Sequence, residues 1–390
     1  MLACCVAFLD GVFISAVAPL LPSYVDELDI GSGLAGVLSA SYSVGLLVAA
    51  LPAGIVTVRY GPRPALLAAL VALSVSSIAF GFATTYPTLL VSRGLEGIAS
   101  AFAWTAMLGW LVAVTDVRQR ARLFGVVFGA AFAGFTLGPV LGGLAATVGT
   151  EAVFGAVGLA AVAICLPLLR TPAAERSEPR SVRTYGRLAR WPSVRYALWL
   201  QALPGLVFGA VGLVVALRLS ELGGGPLLIA GGFFVAGLFQ VISMPLVGRW
   251  VDAAGTATPI RFGLLASSVA ALALLLPEQA GVLAFLFPFL WVLFSIVLTP
   301  ATVVLTSSVE SAGEDASFGF AMMNLAFAPG AIVGAVMAGV LRDLSGDLAS
   351  MALVSAFCAG TVLLTARGIA PTSDVPIPRT DAHDHFSPRP

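Results

Sequence analysis

Apolar runs of the length that a bilayer demands, about 20 residues, alternate along this chain with short polar or Gly/Pro-rich breaks. The runs are Leu2–Pro22, Leu34–Val56, Ala65–Ala83, Thr88–Val114, Leu123–Val148, Ala152–Leu169, Tyr196–Leu217, Leu227–Trp250, Ile260–Leu276, Gly281–Leu305, Phe318–Leu341 and Leu348–Ala366. Twelve membrane-spanning helices are predicted, in two sets of six. The intervals assigned are 1–169 for the first six-helix bundle, 170–195 for an Arg-rich cytoplasmic linker and 196–369 for the second bundle. A cytoplasmic tail, 370–390, is rich in Pro and Asp and predicted to be disordered.

Charge tests this division. With both termini inside, the inner loops hold Arg59 and Arg63, then Arg118, Arg120 and Arg122, then the run from Arg170 to Arg195, then Arg249 and Arg261, then Arg367, Arg379 and Arg389. Only Arg218 and Arg342 fall outside, and only Arg93 within a span. Such a bias orients a multi-pass protein in the plasma membrane; an eleven-span chain would invert every later loop. The outer segment Asp26-Glu27-Leu28-Asp29 is acidic, as this orientation asks. Within the linker, Val182–Trp191 has the make-up of a basic amphipathic helix lying on the membrane.

Composition narrows the classes. Hydrophobic residues make up 59% and charged residues 10%, against about 25% charged in soluble domains. Net charge is zero and every basic residue is Arg, so nothing favours nucleic acid. Cys4, Cys5, Cys165 and Cys358 lie in apolar runs with no ligand-like spacing, and His383 and His385 lie in the tail. No metal site, cofactor site, catalytic constellation or nucleotide-binding domain is expected. Met1 runs directly into apolar sequence without a basic n-region, so no signal peptide is read.

Three features carry chemistry. The first is Gly134, Gly138, Pro139, Gly142 and Gly143 in the fifth run. Glycines spaced by four line one helix face and admit a neighbouring backbone, and Pro139 bends that face. A pivot and a plain packing seam are both compatible with the spacing. The second is Asp10, halfway along the first run. An ionisable group there costs about 2.5–3.5 kcal/mol and marks a task. Burial disfavours its charged form, which brings exchange of a proton for a cationic solute within reach of cellular pH. The third is Arg93 with Glu96, three apart on one helix face and able to pair. Tyr42, Trp104 (with Phe102), Gln201, Gln240 and Asn324 are softer candidates for cavity-facing groups. Tyr24, Tyr86, Trp191, Tyr196 and Trp250 read as interfacial anchors.

The halves repeat. Gly54, Arg59, Gly61 and Arg63 follow the second run; Gly248, Asp252 and Gly255 follow the eighth. Gly138-Pro139 is answered by Ala328-Pro329-Gly330. Parallel six-helix repeats with a site between them are a transporter design.

With these residues in hand, the chain resembles the major facilitator superfamily, above all its twelve-span drug:proton antiporters and vesicular amine transporters. The resemblance runs from Phe8 to about Ala366. It rests on Leu9-Asp10 with Pro19-Leu-Leu-Pro22, on Gly54–Arg63, on Arg93-Gly-Leu-Glu96-Gly97, and on the Gly134–Gly143 stretch, which is similar to the family's antiporter motif. Two positions depart from it: Glu96 stands where the family has Gln, and Val58 where it has Asp. The missing acid weakens the expected lock of the first loop, although Arg59 could pair with Asp116. The resemblance implies a proton-driven exporter of a small amphipathic or cationic solute, monomeric, working by alternating access. An importer of sugars, acids or peptides on the same scaffold, and a non-transporting sensor or scaffold, are the rivals.

Overall fold

Proline shapes almost every long helix. Pro52, Pro139, Pro167, Pro204, Pro245, Pro288, Pro300 and Pro329 all stand inside helices. In water each would cost about 3 kcal/mol; in hydrocarbon, neighbouring helices re-satisfy the freed backbone. The computed structural model describes residues 1–115, 117–170, 182–314 and 316–366.

Among the described residues all regular structure is helical. The order is α1 (Leu2–Ser15), a 3-10 turn (Ala18–Leu20), α2 (Leu21–Leu28), α3 (Ser32–Tyr60), α4 (Pro62–Gly81), α5 (Tyr86–Val114), α6 (Val117–Val148) and α7 (Thr150–Leu169). Then come α8 (Val182–Leu188), α9 (Pro192–Glu221), α10 (Pro226–Ala254), α11 (Ala257–Ala273), α12 (Ala280–Ser311) and α13 (Ala316–Ala366). Each apolar run of the sequence lies largely in helix. Nine helical segments among the described residues are long and apolar enough to cross a bilayer. One of these, Met322–Thr365, joins two of the predicted runs across a break at Gly346, where φ is 80°.

Two large buried clusters divide by chain position. One draws on residues from Ala3 to Leu168, the other on residues from Leu188 to Cys358. Large apolar side chains such as Val48, Val75, Phe285 and Leu276 point outward, a belt that water would not tolerate but lipid does.

Among the described residues the backbones of the two sets of helices press together toward one end. Ser32–Gly36 on α3 meets Ala335–Asp343 on α13, and Thr136–Gly143 on α6 meets Pro226–Gly237 on α10. Parts of the approach are backbone to backbone: a methyl group at Gly36 would meet the Ala335 carbonyl, and one at Gly339 the Ser32 carbonyl. At the opposite, arginine-bearing end, no described residue comes within 4 Å of a methyl group placed at Gly54, Gly125, Gly129, Gly248 or Gly313.

Two placements differ from the sequence reading. Helix α9 opens at Pro192, inside the 170–195 interval given to the linker, where α8 buries Leu188 in the second cluster and pairs Arg187 with Glu314. Tyr24 is not an interfacial anchor. It is buried edge-on against Phe80, ring centroids 6.1 Å apart, because the first span continues past its break to Leu28. Residues 171–181, the tail from 367, and Asp116 lie outside the described residues.

Candidate functional site

The site grows from a broken first span. Pro19 and Pro22 have no N–H to give, so α1 stops at Ser15 and the chain passes through the 3-10 turn into α2. Backbone carbonyls near the break are left over. Arg93 of α5 takes them: its guanidinium donates to the carbonyls of Phe13 and of Ile14, the latter at 2.8 Å. Asp10 lies on α1 just before the break.

Glycines bring the neighbours in. Gly134 and Gly142 of α6 sit against the backbone at Phe8 and at Ala16, and Gly138 against the Val12 carbonyl and the Ser15 hydroxyl; Gly11 of α1 answers against Ala131 and Phe135. On the other side Gly97 of α5 lets the Tyr42 carbonyl of α3 come close, and Gly45 of α3 sits on the Gly94 carbonyl. No side chain fits at these places, so the predicted glycine stretch is a close-packed seam between α1 and α6. Gly143 turns the other way, its position for a methyl only 2.5 Å from Ala230 of α10.

The seam and the α3–α5 crossing converge on Asp10, which is 1% exposed. Tyr42 Oη lies 3.0 Å from Asp10 Oδ1 and Trp104 Nε1 donates to Oδ2 at 2.6 Å. Tyr42 Oη is also 2.7 Å from Ser100 Oγ. A phenol has one proton to give, so with Tyr42 donating to the carboxylate, Ser100 donates to Tyr42. Every polar group holding Asp10 is neutral: among the described residues no cation lies within ion-pairing distance of it.

The buried cation next door is engaged elsewhere. Arg93 Nη1 donates to Glu96 Oε2 at 2.7 Å, and both side chains are buried. The guanidinium lies 4.8 Å from the Tyr42 ring centroid, a cation–π contact. Arg93 Nε and Glu96 Oε1 have no hydrogen-bond partner.

Tyr42 and Arg93 also line a small cavity, about 70 Å³, whose walls come from both sets of helices. Its floor is Ser39, Ser43 and Pro139; its aromatic side is Phe135, Phe208, Phe233 and Trp291. Phe208 packs on Phe135, Trp291 and Phe327, at centroid distances of 5.5, 5.7 and 5.9 Å. Asp10 does not line the cavity; it stands behind Tyr42.

The remaining candidates scatter. Trp104 stacks on Phe128 at 5.5 Å and reaches Asp10 instead of forming a cavity wall. Gln201 is buried and donates to Thr302 at 2.8 Å, off the cavity. Gln240 accepts from the cavity residue Trp291 at 3.0 Å. Asn324 is exposed and off the cavity. Arg59 lies over Tyr60, and Arg63 reaches the Leu169 carbonyl. Gly61 and Gly255 end α3 and α10 with φ of 92° and 72°, which is why glycine recurs there. Asp252 is exposed.

The sequence reading missed a second cluster, at the closed end. Asp343 accepts the N–H groups of Ser32 and Gly33, at 2.8 and 2.7 Å, and so caps α3 from α13. Arg342 donates to Ser32 Oγ at 2.9 Å and pairs with Asp347 and Glu221, each at 2.6 Å. Arg218 joins Asp347 at 3.2 Å. The signal was present: Arg218 and Arg342 are the two arginines that violate the charge bias.

The family model described as the Major Facilitator Superfamily matches residues 3–335. Multidrug resistance protein 1 of Bacillus subtilis is 26% identical over 351 residues, 87% of each chain. The quinolone resistance protein NorA of Staphylococcus aureus is 26% identical over 168 residues, 42% of this chain and 43% of its own. Among solved structures, a bacterial homolog of the human lysosomal transporter Spinster, inward-facing and occupied, superposes with a TM-score of 0.74 at 15% identity, covering 94% of this chain and 96% of its own. The nucleoside transporter NupG gives 0.74 at 11% identity, covering 94% and 97%.

Proposed function

The chain belongs to the major facilitator superfamily, a family of membrane transporters and not of enzymes, and on that premise we propose that it is a proton-coupled exporter of small amphipathic, cationic solutes. It would work as a monomer in the plasma membrane, with both termini and the arginine-bearing loops in the cytoplasm and twelve spans acting as two rocking halves. One observation carries the reading. A buried carboxylate, Asp10, is held only by neutral donors, and one of them, Tyr42, lines a cavity shared by both sets of helices.

An isolated buried charge is costly, so Asp10 wants either a proton or a nearby cation, and the two compete. A cationic solute entering beside Tyr42 would release the proton; opening to the other side and reprotonation would expel the solute. In this orientation the open, arginine-bearing end faces inward, where cargo loads. The α1–α6 seam carries Asp10 with α6 as the halves rock. That the curated relatives are named for multidrug and quinolone resistance supports a drug-like cargo.

Asp10→Asn keeps the size, can still accept from Trp104 through Oδ1 while its amide N–H donates to Tyr42, and cannot exchange a proton. In everted vesicles it should insert normally yet lose proton-coupled efflux of a cationic dye, by about a hundredfold if coupling rests on this group. Wild-type efflux from the Asn variant would refute the role.

A further inference from the structure

We infer that the proton bound for Asp10 enters past Tyr24, lands on Glu96 and passes along one face of α5 through the hydroxyls of Ser100 and Tyr42. This rests on the exporter reading above and names the proton's route within it.

The route begins as a polar stripe. Helix α5 carries Arg93, Glu96, Ser100 and Trp104 at spacings of three, four and four, which keep all four on one helix face. That face meets α1 and α3. Arg93 donates to the Phe13 and Ile14 carbonyls, Ser100 meets Tyr42, and Trp104 reaches Asp10. Glu96 and Ser100 are fully buried and lie off the cavity. Burying polar groups is costly, and packing alone does not ask for a carboxyl and a hydroxyl in a row.

The inner half of the route is already oriented. With Tyr42 donating to Asp10 Oδ1 and Ser100 donating to Tyr42, at 3.0 and 2.7 Å, both O–H bonds point toward Asp10. Asp10 takes the proton of Tyr42, Tyr42 takes that of Ser100, and Ser100 takes one from Glu96. One O–H bond forms for each that breaks, so the net result is one proton moved from Glu96 to Asp10. Side chains four apart on a helix have Cβ atoms about 5–6 Å apart, within the sweep of a glutamate.

Charge stays balanced throughout. Before the transfer Glu96 is neutral, and Asp10 and Arg93 carry opposite charges. Afterwards Asp10 is neutral and Glu96 is ionised against Arg93, 2.7 Å away. Neither state leaves an uncompensated ion in the dry interior. The oxygen that receives the proton is Oε1 of Glu96: Oε2 accepts from Arg93, and Oε1 has no hydrogen-bond partner among the described residues.

The supply side is the acidic end. Tyr24 of α2 stands one turn inside the exposed Glu27. It shares a buried cluster with Leu89, which lies one turn before Arg93 on α5. The Tyr24 hydroxyl is buried and without a partner among the described residues, and Glu27, Glu96 and Arg93 all act on it electrostatically.

The test is ethidium uptake into everted vesicles whose acid lumen bathes the acidic end, with rates normalised to ethidium-binding protein. E96Q and S100A should each lower kcat about tenfold or more, the scale of a lost proton-transfer group, while KM for ethidium holds. Y24F deletes a hydroxyl that holds nothing in place, so packing predicts no loss; the route predicts a lower kcat. The double variant E96Q/S100A should be no slower than the slower single, because members of one relay fail together. Wild-type kcat in any of the three single variants overturns the inference. So does a double variant whose losses multiply, the mark of two separate packing defects, or a KM that rises in step with the fall in kcat. A wild type that takes up no ethidium under an acid lumen overturns the exporter reading instead.

Discussion

The two ends of the molecule are built from the same materials and do opposite things. At the acidic end, glycines on α3, α6, α10 and α13 press against the opposing set of helices. At the arginine end the glycines that occupy repeat-related places, Gly54 and Gly248, press on nothing. Small residues therefore do not by themselves hold helices together; they remove the obstacle to contact at whichever end is shut. What differs is polar chemistry. The shut end adds a carboxylate that caps the opposing helix and an arginine that bridges to it. Among the described residues the open end has one ion pair, Arg187–Glu314, and it ties the linker to the second set of helices alone.

The largest break in this contrast comes from bulk. A side chain at Gly36 meets the Ala335 carbonyl, a backbone atom that cannot swing aside. G36L should cost the shut state upward of about 3 kcal/mol, enough to prop the acidic end open. Spin labels on the exposed Glu27 and Leu344 would report a lengthened distance, and vesicle transport should fall to background. G54L, with nothing within 4 Å, should leave that distance unchanged and still slow transport, since the arginine end must also close in each cycle. Equal behaviour of the two variants would show that the ends are not the alternating gates proposed here.

A milder break removes the cap. Asp343 accepts two N–H groups at the start of α3, where Gly31 supplies no side-chain cap. A charged acceptor at a helix N-terminus also meets the favourable end of the helix dipole. D343N keeps one acceptor and loses the charge. The expected cost is about 1–2 kcal/mol, so the same label pair should show a partly populated open state, not a complete shift. An unchanged distance distribution would mean that apolar contact alone shuts this end.

How much of this was legible in the sequence follows from what each residue costs where it stands. Asp10, Arg93 and Glu96 announce themselves, because a charge inside an apolar run needs a reason. Tyr42 and Trp104 were recognisable only as polar tips in apolar helices; that both reach Asp10 depends on the α3–α5 crossing, which Gly97 and Gly45 permit and no local pattern reveals. Ser100 was silent, since serine in a span satisfies itself on its own helix. The Gly134–Gly142 spacing predicted a close neighbour but not which helix. Asn324, read as a soft candidate for a cavity-facing group, is exposed and lies off the cavity that Tyr42 and Arg93 line. Asp343 went unnoticed because an acid just beyond an apolar run looks merely solvated.

The smallest expected effect tests whether ion pairs as such matter. Arg187 leaves 66% of its side chain exposed, and its partner Glu314 20%. Exposed pairs contribute about 0–1 kcal/mol and less in salt. The pair joins the linker to one set of helices, so its loss does not bear on the separation of the two sets. R187Q should therefore leave the Glu27–Leu344 distance unmoved and lower the thermal midpoint by no more than a degree or so, about 0.8 kcal/mol for a chain of this size. Arg342 bears the opposite expectation although its pairs are chemically alike. It is 11% exposed and reaches Ser32 across the divide, so R342Q should broaden the same distance distribution toward that of D343N. If R187Q moved the gate as far as R342Q, the placement of a charge across the divide would not be what distinguishes the shut end from the open one.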